Sequence, residues 1–539
     1  MTSTLSTDPS TEGTTQPTIP RRFGALAGLA AGALAVALGM FFAAITDVVS
    51  PIDAVGSEVI DRAPKWLKIY AIETFGTNDK LALRIGIITI LGVAALALGA
   101  GSVRRWWIGT AGIGLFGIIG AAAAANRPRE SGGSAVPSVL GAIVGALVLY
   151  RLIRPRTVQP IGVTRPVEVP GRSQVPLGWD RRRFLIAGGA TVTTAVVAGA
   201  IGVQREGERV SDLREAAAVP LPGAALDSTE IPPDAELFDE TPFVTPNDEF
   251  YRIDTALSFP RIDVAKWSFQ ITGMVDTPLK VTYDDLLAMP QVERVITLAC
   301  VSNEVGGDLI GNAVWRGVLL RDLLDEAGVQ PAAEQIFSTS VDGWTCGFPV
   351  GAAFDGRDAM VAVGMNGETL PLEHGFPARL VIPGLYGYVS ATKWLERIKL
   401  TSWDEEGYWV PRGWSREAPI KTQSRIDVVR AAAGTGNTSA ATGTTREYVI
   451  AGVAWAQYRG VEKVEVSIDD AAWQEANLGA NVSDDAWRQW LLEWDAEPGD
   501  HIIKVRATDK TSETQTEEKA RPDPNGATGY HTIRVSIDG

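Results

Sequence analysis

Five apolar runs crowd the first 204 residues, at about 23–49, 82–101, 106–125, 135–153 and 184–203. Each approaches the roughly 20 residues that a helix needs to cross the hydrocarbon of a bilayer. They carry almost no charge and stand side by side, so residues 1–204 are predicted to form a membrane region of five transmembrane helices rather than buried helices of a soluble fold. Beyond them the period changes. Residues 205–240 are rich in Ala, Pro and acids and read as a tether. From 241 to 430, short β-like runs alternate with turns and with two short helices, "TYDDLLAM" and "LLRDLLDEAG", the second closing on Gly328. That mixture predicts an α+β domain. The stretch 431–445 ("AAAGTGNTSAATGTT") is a linker by composition. Alternating strands over 446–539 predict an all-β immunoglobulin-like sandwich.

Charge orients the membrane region. Arg21 and Arg22 precede the first run, Arg104 and Arg105 separate the second from the third, and Arg151, Arg154, Arg156, Arg165 and Arg172 separate the fourth from the fifth. All three groups fall on one side, which the positive-inside rule makes cytoplasmic. Asp53, Glu58 and Asp61 fall on the other side, against which Arg127 and Arg129 count slightly, and Arg84 is expected to snorkel from near a helix end. Five crossings then place residues 205–539 on the extracellular side of the plasma membrane. The fifth run opens with Arg181-Arg182-Arg183-Phe184-Leu185 ahead of a weakly apolar Ala/Gly/Thr stretch, which resembles an internal twin-arginine export signal. Such signals mark domains exported already folded, with a cofactor inserted beforehand. The plain alternative is an ordinary positive flank.

The net charge of −15 argues against nucleic-acid binding, which needs a basic footprint. Two cysteines exclude a disulfide framework, a Cys₄ zinc site and an ordinary Cys-ligated iron–sulfur cluster. The three histidines, His374, His501 and His531, lie outside every apolar run, and no Cys-x-x-Cys-His occurs, so neither a bis-histidine membrane haem nor a c-type haem is expected. Electrons for any redox chemistry must therefore pass through a separate partner.

Four segments carry a resemblance: "FYRIDTA" (250–256), "LACVSN" (298–303), "VWRGVLLRDLL" (314–324) and "HGFPARLVIPGLYGYVSATKWLERIKL" (374–400). With them, residues 241–539 resemble the sulfite oxidase family of molybdenum-cofactor enzymes, trailing β domain included. The resemblance implies that Cys300 is the protein's one bond to molybdenum, a soft thiolate beside the pterin's own sulfurs. A Cys300–Cys346 disulfide is the structural alternative, with Cys346 otherwise a core or pocket-wall thiol. It further implies that Arg379 and Lys393 hold the pterin phosphate, that His374 donates to it or to the ring, and that main-chain groups of Ala391 and Thr392 add donors. Tyr251, Arg252, Asp254 and Thr255 fall in the family's early pterin-contact segment, where Asp254-Thr255 replaces a common Asn-His pair. Asp342 falls where an acid often meets the pterin, although Asp-Gly is also a plain turn signal.

Departures bear on substrate. Where sulfite oxidases carry Gly-Asn-Arg-Arg after the cysteine, this chain has Ser302-Asn303-Glu304-Val305. The pocket tyrosine is expected to be missing, with Trp344 or Cys346 nearby. A carboxylate at the mouth opposes a dianion, and in a partly dry pocket that costs several kcal/mol at short range. A small neutral or cationic S-oxide or N-oxide fits better than sulfite, with Asn303, Glu304 and Trp344 lining the pocket. The rivals are a sulfite oxidase with a rebuilt anion pocket and a non-catalytic surface protein. Family relatives also pair through the C-terminal domain, so a homodimer is an expectation.

Overall fold

A computed structural model describes residues 19–75, 78–128, 133–154, 181–217, 221, 223, 225–432 and 446–538. Arg129, Arg156, Arg165, Arg172 and most of the predicted linker lie outside them. The chain divides into two compact units, Met1–Ala63 with Lys68–Arg209, and Pro64–Leu67 with Val210–Gly539.

The helices of the first part of the chain are α1 (Arg21–Thr46), α2 (Pro51–Arg62), α3 (Lys65–Phe75), α4 (Asp79–Ser102), α5 (Trp107–Ala125), α6 (Val136–Ile153) and α7 (Arg181–Ala217). Among the described residues, α1, α4, α5, α6 and α7 are long and apolar enough to cross a membrane. Helices α2 and α3 follow the first apolar run and were not expected. Ser50 starts α2 by accepting the Asp53 N–H at 3.1 Å, with Pro51 at the first helical position. The acids of α2 then reach its neighbours. Asp53 pairs with Arg84 of α4 at 2.8 Å, Asp61 with Arg127 at 3.0 Å, and Glu58 accepts from Asn126 at 3.2 Å. Arg84 and Arg127, expected to snorkel or to break the charge pattern, thus have carboxylate partners.

Helices α1 and α4 meet backbone to backbone. A Cβ on Gly28 would overlap the Ala95 carbonyl oxygen, and one on Gly99 would overlap that of Gly24. Helix α7 runs past its apolar stretch, so the expected tether is helical as far as Ala217. Side-chain pairs along "QREGERVSDLREAA", such as Gln204 to Glu208 at 2.9 Å, support that polar extension.

In the second unit one six-stranded sheet runs Asp227–Ser228, Val292–Ala299, Ile310–Leu319, Met360–Met365, Arg379–Val381, with Glu368–Thr369 beside Met360–Met365. A five-stranded sheet runs Leu279–Thr282, Ser268–Gly273, Leu395–Thr401, Gln335–Ser340, Thr345–Pro349. Both mix parallel and antiparallel pairs, as the α+β reading expects. The two predicted helices are α8 (Tyr283–Ala288), opened by a Thr282–Asp285 capping box, and α9 (Leu320–Ala327), closed by left-handed Gly328. A four-residue helix, α10 (Gly387–Ser390), precedes Leu395–Thr401.

The C-terminal part is a pair of four-stranded sheets. Its first strand, Gln423–Ala431, pairs with Arg446–Trp455, so the double sheet takes in residues that the sequence reading gave to the preceding domain. Between the sheets lie Ile450, Val464, Val466, Trp490, Ile503 and Val505, all fully buried.

Candidate active site

Strand Val292–Ala299 ends at Cys300, and its partner Ile310–Leu319 begins just after Leu309. The Cys300 N–H donates to the Leu309 carbonyl at 2.9 Å, which closes the base of a loop over 300–309. Within it the Asn303 N–H donates to the Cys300 carbonyl at 3.0 Å, and Asn303 Oδ1 accepts the Leu309 N–H at 2.9 Å. Asn303 is therefore a loop latch from inside. Burial raises the Cys300 thiol pKa, against which the Ser302 N–H, 3.4 Å from Sγ, favours the thiolate. Both cysteines are free, so the disulfide alternative is excluded. Cys346 is a core thiol, held between Ser338 Oγ at 3.2 Å and Thr392 Oγ1 at 3.1 Å, with burial pushing its pKa up to about 11.

Two phenols flank Cys300. Burial raises the pKa of Tyr251 well above the usual tyrosine range, and that of Tyr386 to about 12; charge on Cys300 adds to both. These phenols are distinct from the family's pocket tyrosine, which was expected to be missing, and they arrive from two distant segments. Gly387, the first residue of α10, packs against this site: a Cβ there would make ordinary contacts, 3.9 Å from the Ala299 oxygen and 4.0 Å from the Tyr251 hydroxyl.

From Tyr251 the site continues into a cluster of cations. Arg379 is 5% exposed, stacks over Trp315 at 5.0 Å, and donates to the His374 carbonyl at 3.1 Å. Its described partners are carbonyls and a ring, with no carboxylate, and burial depresses its pKa to about 10. Lys393 donates to Asp254 at 2.9 Å and to the Glu373 carbonyl at 3.0 Å, while burial takes its pKa to about 8. Arg252 shares the same Asp254 oxygen at 2.9 Å. Two cations thus share one buried carboxylate while Arg379 nearby has none among its described partners, an arrangement that calls for a further anion.

Several expected roles change. His374 Nε2–H donates to the Asn247 carbonyl at 2.8 Å, and burial lowers its pKa to about 4. The neutral ring offers Nδ1 as an acceptor, so the expected donation from His374 requires the ring first to take up a proton from solvent, which a nearby anion would favour. The Ala391 N–H is spent on the Gly387 carbonyl at 3.0 Å and is no free donor, which corrects the main-chain role expected of it. The Thr392 side chain turns inward to Ser338 at 2.6 Å. Asp342 Oδ1 accepts the Trp344 N–H at 3.0 Å and so builds the hairpin turn that its Asp-Gly signal also allowed. That hairpin lies beside the cations, because the Val341 N–H donates to the Trp394 carbonyl at 2.9 Å. Thr255 is half-buried and Glu304 is exposed.

A phosphate-tailed pterin fits these residues: Arg379 supplies a buried cation with no carboxylate among its described partners, Cys300 supplies a thiol, and Tyr251 interacts with both. Among the described residues no three His, Cys, Asp or Glu side chains gather to hold a metal ion, so a metal on Cys300 takes its other ligands from elsewhere. The weight on Asp254 is testable. In Asp254→Asn, Lys393 loses its carboxylate and sheds its proton, and the cofactor-free protein is expected to lose about 2–3 kcal/mol. Thermal unfolding at pH 7 reads the loss; an unchanged midpoint would show the pair to be idle.

The family model described as "Oxidoreductase molybdopterin binding domain" matches residues 256–409. The chain is 36% identical over 152 residues to "Uncharacterized oxidoreductase YuiH" of Bacillus subtilis (strain 168), across 28% of this chain and 74% of that protein. It is 30% identical over 299 residues to mitochondrial sulfite oxidase of Rattus norvegicus, across 48% of this chain and 54% of that protein, and so spans about half of that relative. The crystal structure of the sulfane dehydrogenase SoxCD from Paracoccus pantotrophus aligns over 57% of this chain and 84% of that one, with 25% identity and a TM-score of 0.47.

Proposed function

Because the chain belongs to the sulfite oxidase family of molybdopterin-dependent oxidoreductases, we propose that this enzyme is a membrane-anchored reductase of small S-oxides or N-oxides, its catalytic domain facing outward. Helices α1, α4, α5, α6 and α7 are the anchor, the arginines before Phe184 are an export signal, and the C-terminal double sheet is an immunoglobulin-like module. When bound, the cofactor supplies two-electron oxygen-atom transfer; the chain supplies ligation, orientation and access. The reaction is R₂SO + 2 e⁻ + 2 H⁺ → R₂S + H₂O, with the electrons delivered by a separate carrier such as a membrane quinol-linked protein.

Cys300 would ligate the metal, while Arg379, with Lys393 and Arg252 behind it, would hold the phosphate end. Tyr251 and Tyr386 keep their phenolic protons because both pKa values are raised. A phenol O–H suits the oxygen of a neutral S–O or N–O group, to which it donates a hydrogen bond. The observation that carries the substrate class is the loop after Cys300, where exposed Glu304 and half-buried Val305 stand in place of two arginines. A carboxylate about 6 Å from a dianion's nearest charge, at an effective dielectric of about 20, costs about 3 kcal/mol, or a hundredfold in kcat/KM.

Assays on the purified full chain separate the readings. With reduced viologen as donor, dimethyl sulfoxide, methionine sulfoxide or trimethylamine N-oxide is expected to be turned over. Sulfite with an artificial acceptor is expected to be at least about a hundredfold slower in kcat/KM. The reverse order would make the protein a sulfite oxidase with a rebuilt anion pocket, the reading favoured by the similarity to the rat enzyme.

A further inference from the structure

The loop over 300–309 is latched from inside by Asn303, yet its outer face is met by residues more than a hundred positions away. Gly306 has φ +80°, and a Cβ there would overlap Nε2 of His531. The next carbonyl, that of Gly307, accepts from Arg425 Nη1 at 2.8 Å. A side chain at Gly307 would in turn press on Asn303 Oδ1. Two successive glycines therefore leave bare backbone for an imidazole and a guanidinium to lie against.

The C-terminal sheets fix both groups. Strand Gln423–Ala431 has an irregularity between Ile426 and Val428, and the Ile426 N–H there donates to His531 Nδ1 at 2.9 Å. That bond sets the tautomer: the neutral ring carries its proton on Nε2, the edge turned to Gly306. Arg425 is anchored on its other side by Asp427, which also accepts from Thr241 Oγ1 at 2.9 Å.

We propose that Arg425 and His531 are positioning residues of the active site, clamping the Cys300–Leu309 loop from the C-terminal double sheet. The C-terminal module then shapes the pocket mouth, acting through Gly306 and Gly307 on Asn303, Glu304 and the backbone of Cys300. The proposal rests on the reading of Cys300 as the metal ligand for its catalytic consequence, but the clamp is a property of the chain.

The test uses the full chain in three forms, His531→Ala, His531→Asn and Gly306→Ala. In cofactor-free His531→Ala, hydrogen exchange at the Gly307 and Leu309 amides is expected to rise at least tenfold. Alkylation of Cys300 by iodoacetamide should rise with it, while Cys346 stays unreactive. His531→Asn, whose side-chain carbonyl can accept the Ile426 N–H, should recover most of the protection. In the loaded enzyme, KM for dimethyl sulfoxide should rise several-fold in His531→Ala with kcat changed less than twofold. Should His531→Ala fail to fold, Gly306→Ala reads the same contact from the loop side and is expected to raise exchange at Leu309. Unchanged loop exchange in whichever variants fold, or no recovery with asparagine, overturns the clamp. Wild-type protein without molybdenum would defeat the Cys300 assignment instead, and leaves the exchange result standing.

Discussion

Cys300→Ser protein is expected to fold normally, to lose most of its molybdenum and to turn over at least about 10³-fold more slowly, equivalent to about 4 kcal/mol in the barrier. The substitution is nearly isosteric at a side chain only 8% exposed, and the Ser302 N–H still finds an acceptor there. Stability should therefore move by no more than about 1 kcal/mol. What changes is the donor. A thiolate is soft and a serine hydroxyl is hard, and no second thiol is in position to replace it, since Cys346 is committed to Ser338 and Thr392. Because the cationic cluster is untouched, pterin content should fall less than molybdenum content. Metal analysis beside the fluorescence of oxidised pterin reads both. Stoichiometric molybdenum in the serine variant would end the assignment.

Arg379→Met should reverse that order, losing the pterin first. It should also show a signature that binding residues display and structural ones do not. Arg379 is buried with no carboxylate among its described partners, and its depression from 12.5 to about 10 corresponds to about 3 kcal/mol held against the charged form. Methionine removes that cost and keeps apolar contact with Trp315, while giving up the hydrogen bond to the His374 carbonyl. The cofactor-free variant is expected to be more stable than wild type by about 1–2 kcal/mol, seen as a higher thermal midpoint, and to retain no pterin. A destabilised variant that still binds pterin would mark Arg379 as ordinary structure.

The sequence exposed those elements whose signal is local. Four of the five apolar runs became long helices within a few residues and the fifth ran on to Ala217, while Gly328 stopped α9 where expected. Helix α2 was hidden because its stabilising contacts, Asp53 to Arg84 and Asp61 to Arg127, lie far along the chain and leave only a short, charged window to read. Cys300, Arg379 and Lys393 were legible because they stand in long motifs. Roles were less so. That Asp254 would neutralise Lys393 depends on a contact across 139 positions, and that Asn303 would spend its carbonyl on Leu309 depends on a turn no composition reveals. Arg425 and His531 were invisible for the same reason: a strand of one domain reaches them to a loop of another. Tyr386 stood inside a quoted motif, and its hydroxyl, the one polar atom on an otherwise apolar strand-to-helix turn, was the signal to follow.

The interlocking of α1 and α4 through Gly24, Gly28 and Gly99 bears on how these two helices can move. Helices whose main chains touch have no side-chain layer to deform, so sliding or tilting one past the other drives oxygen into backbone within an ångström or so. The seam between them is closed, so α1 and α4 can shift only together, as one body.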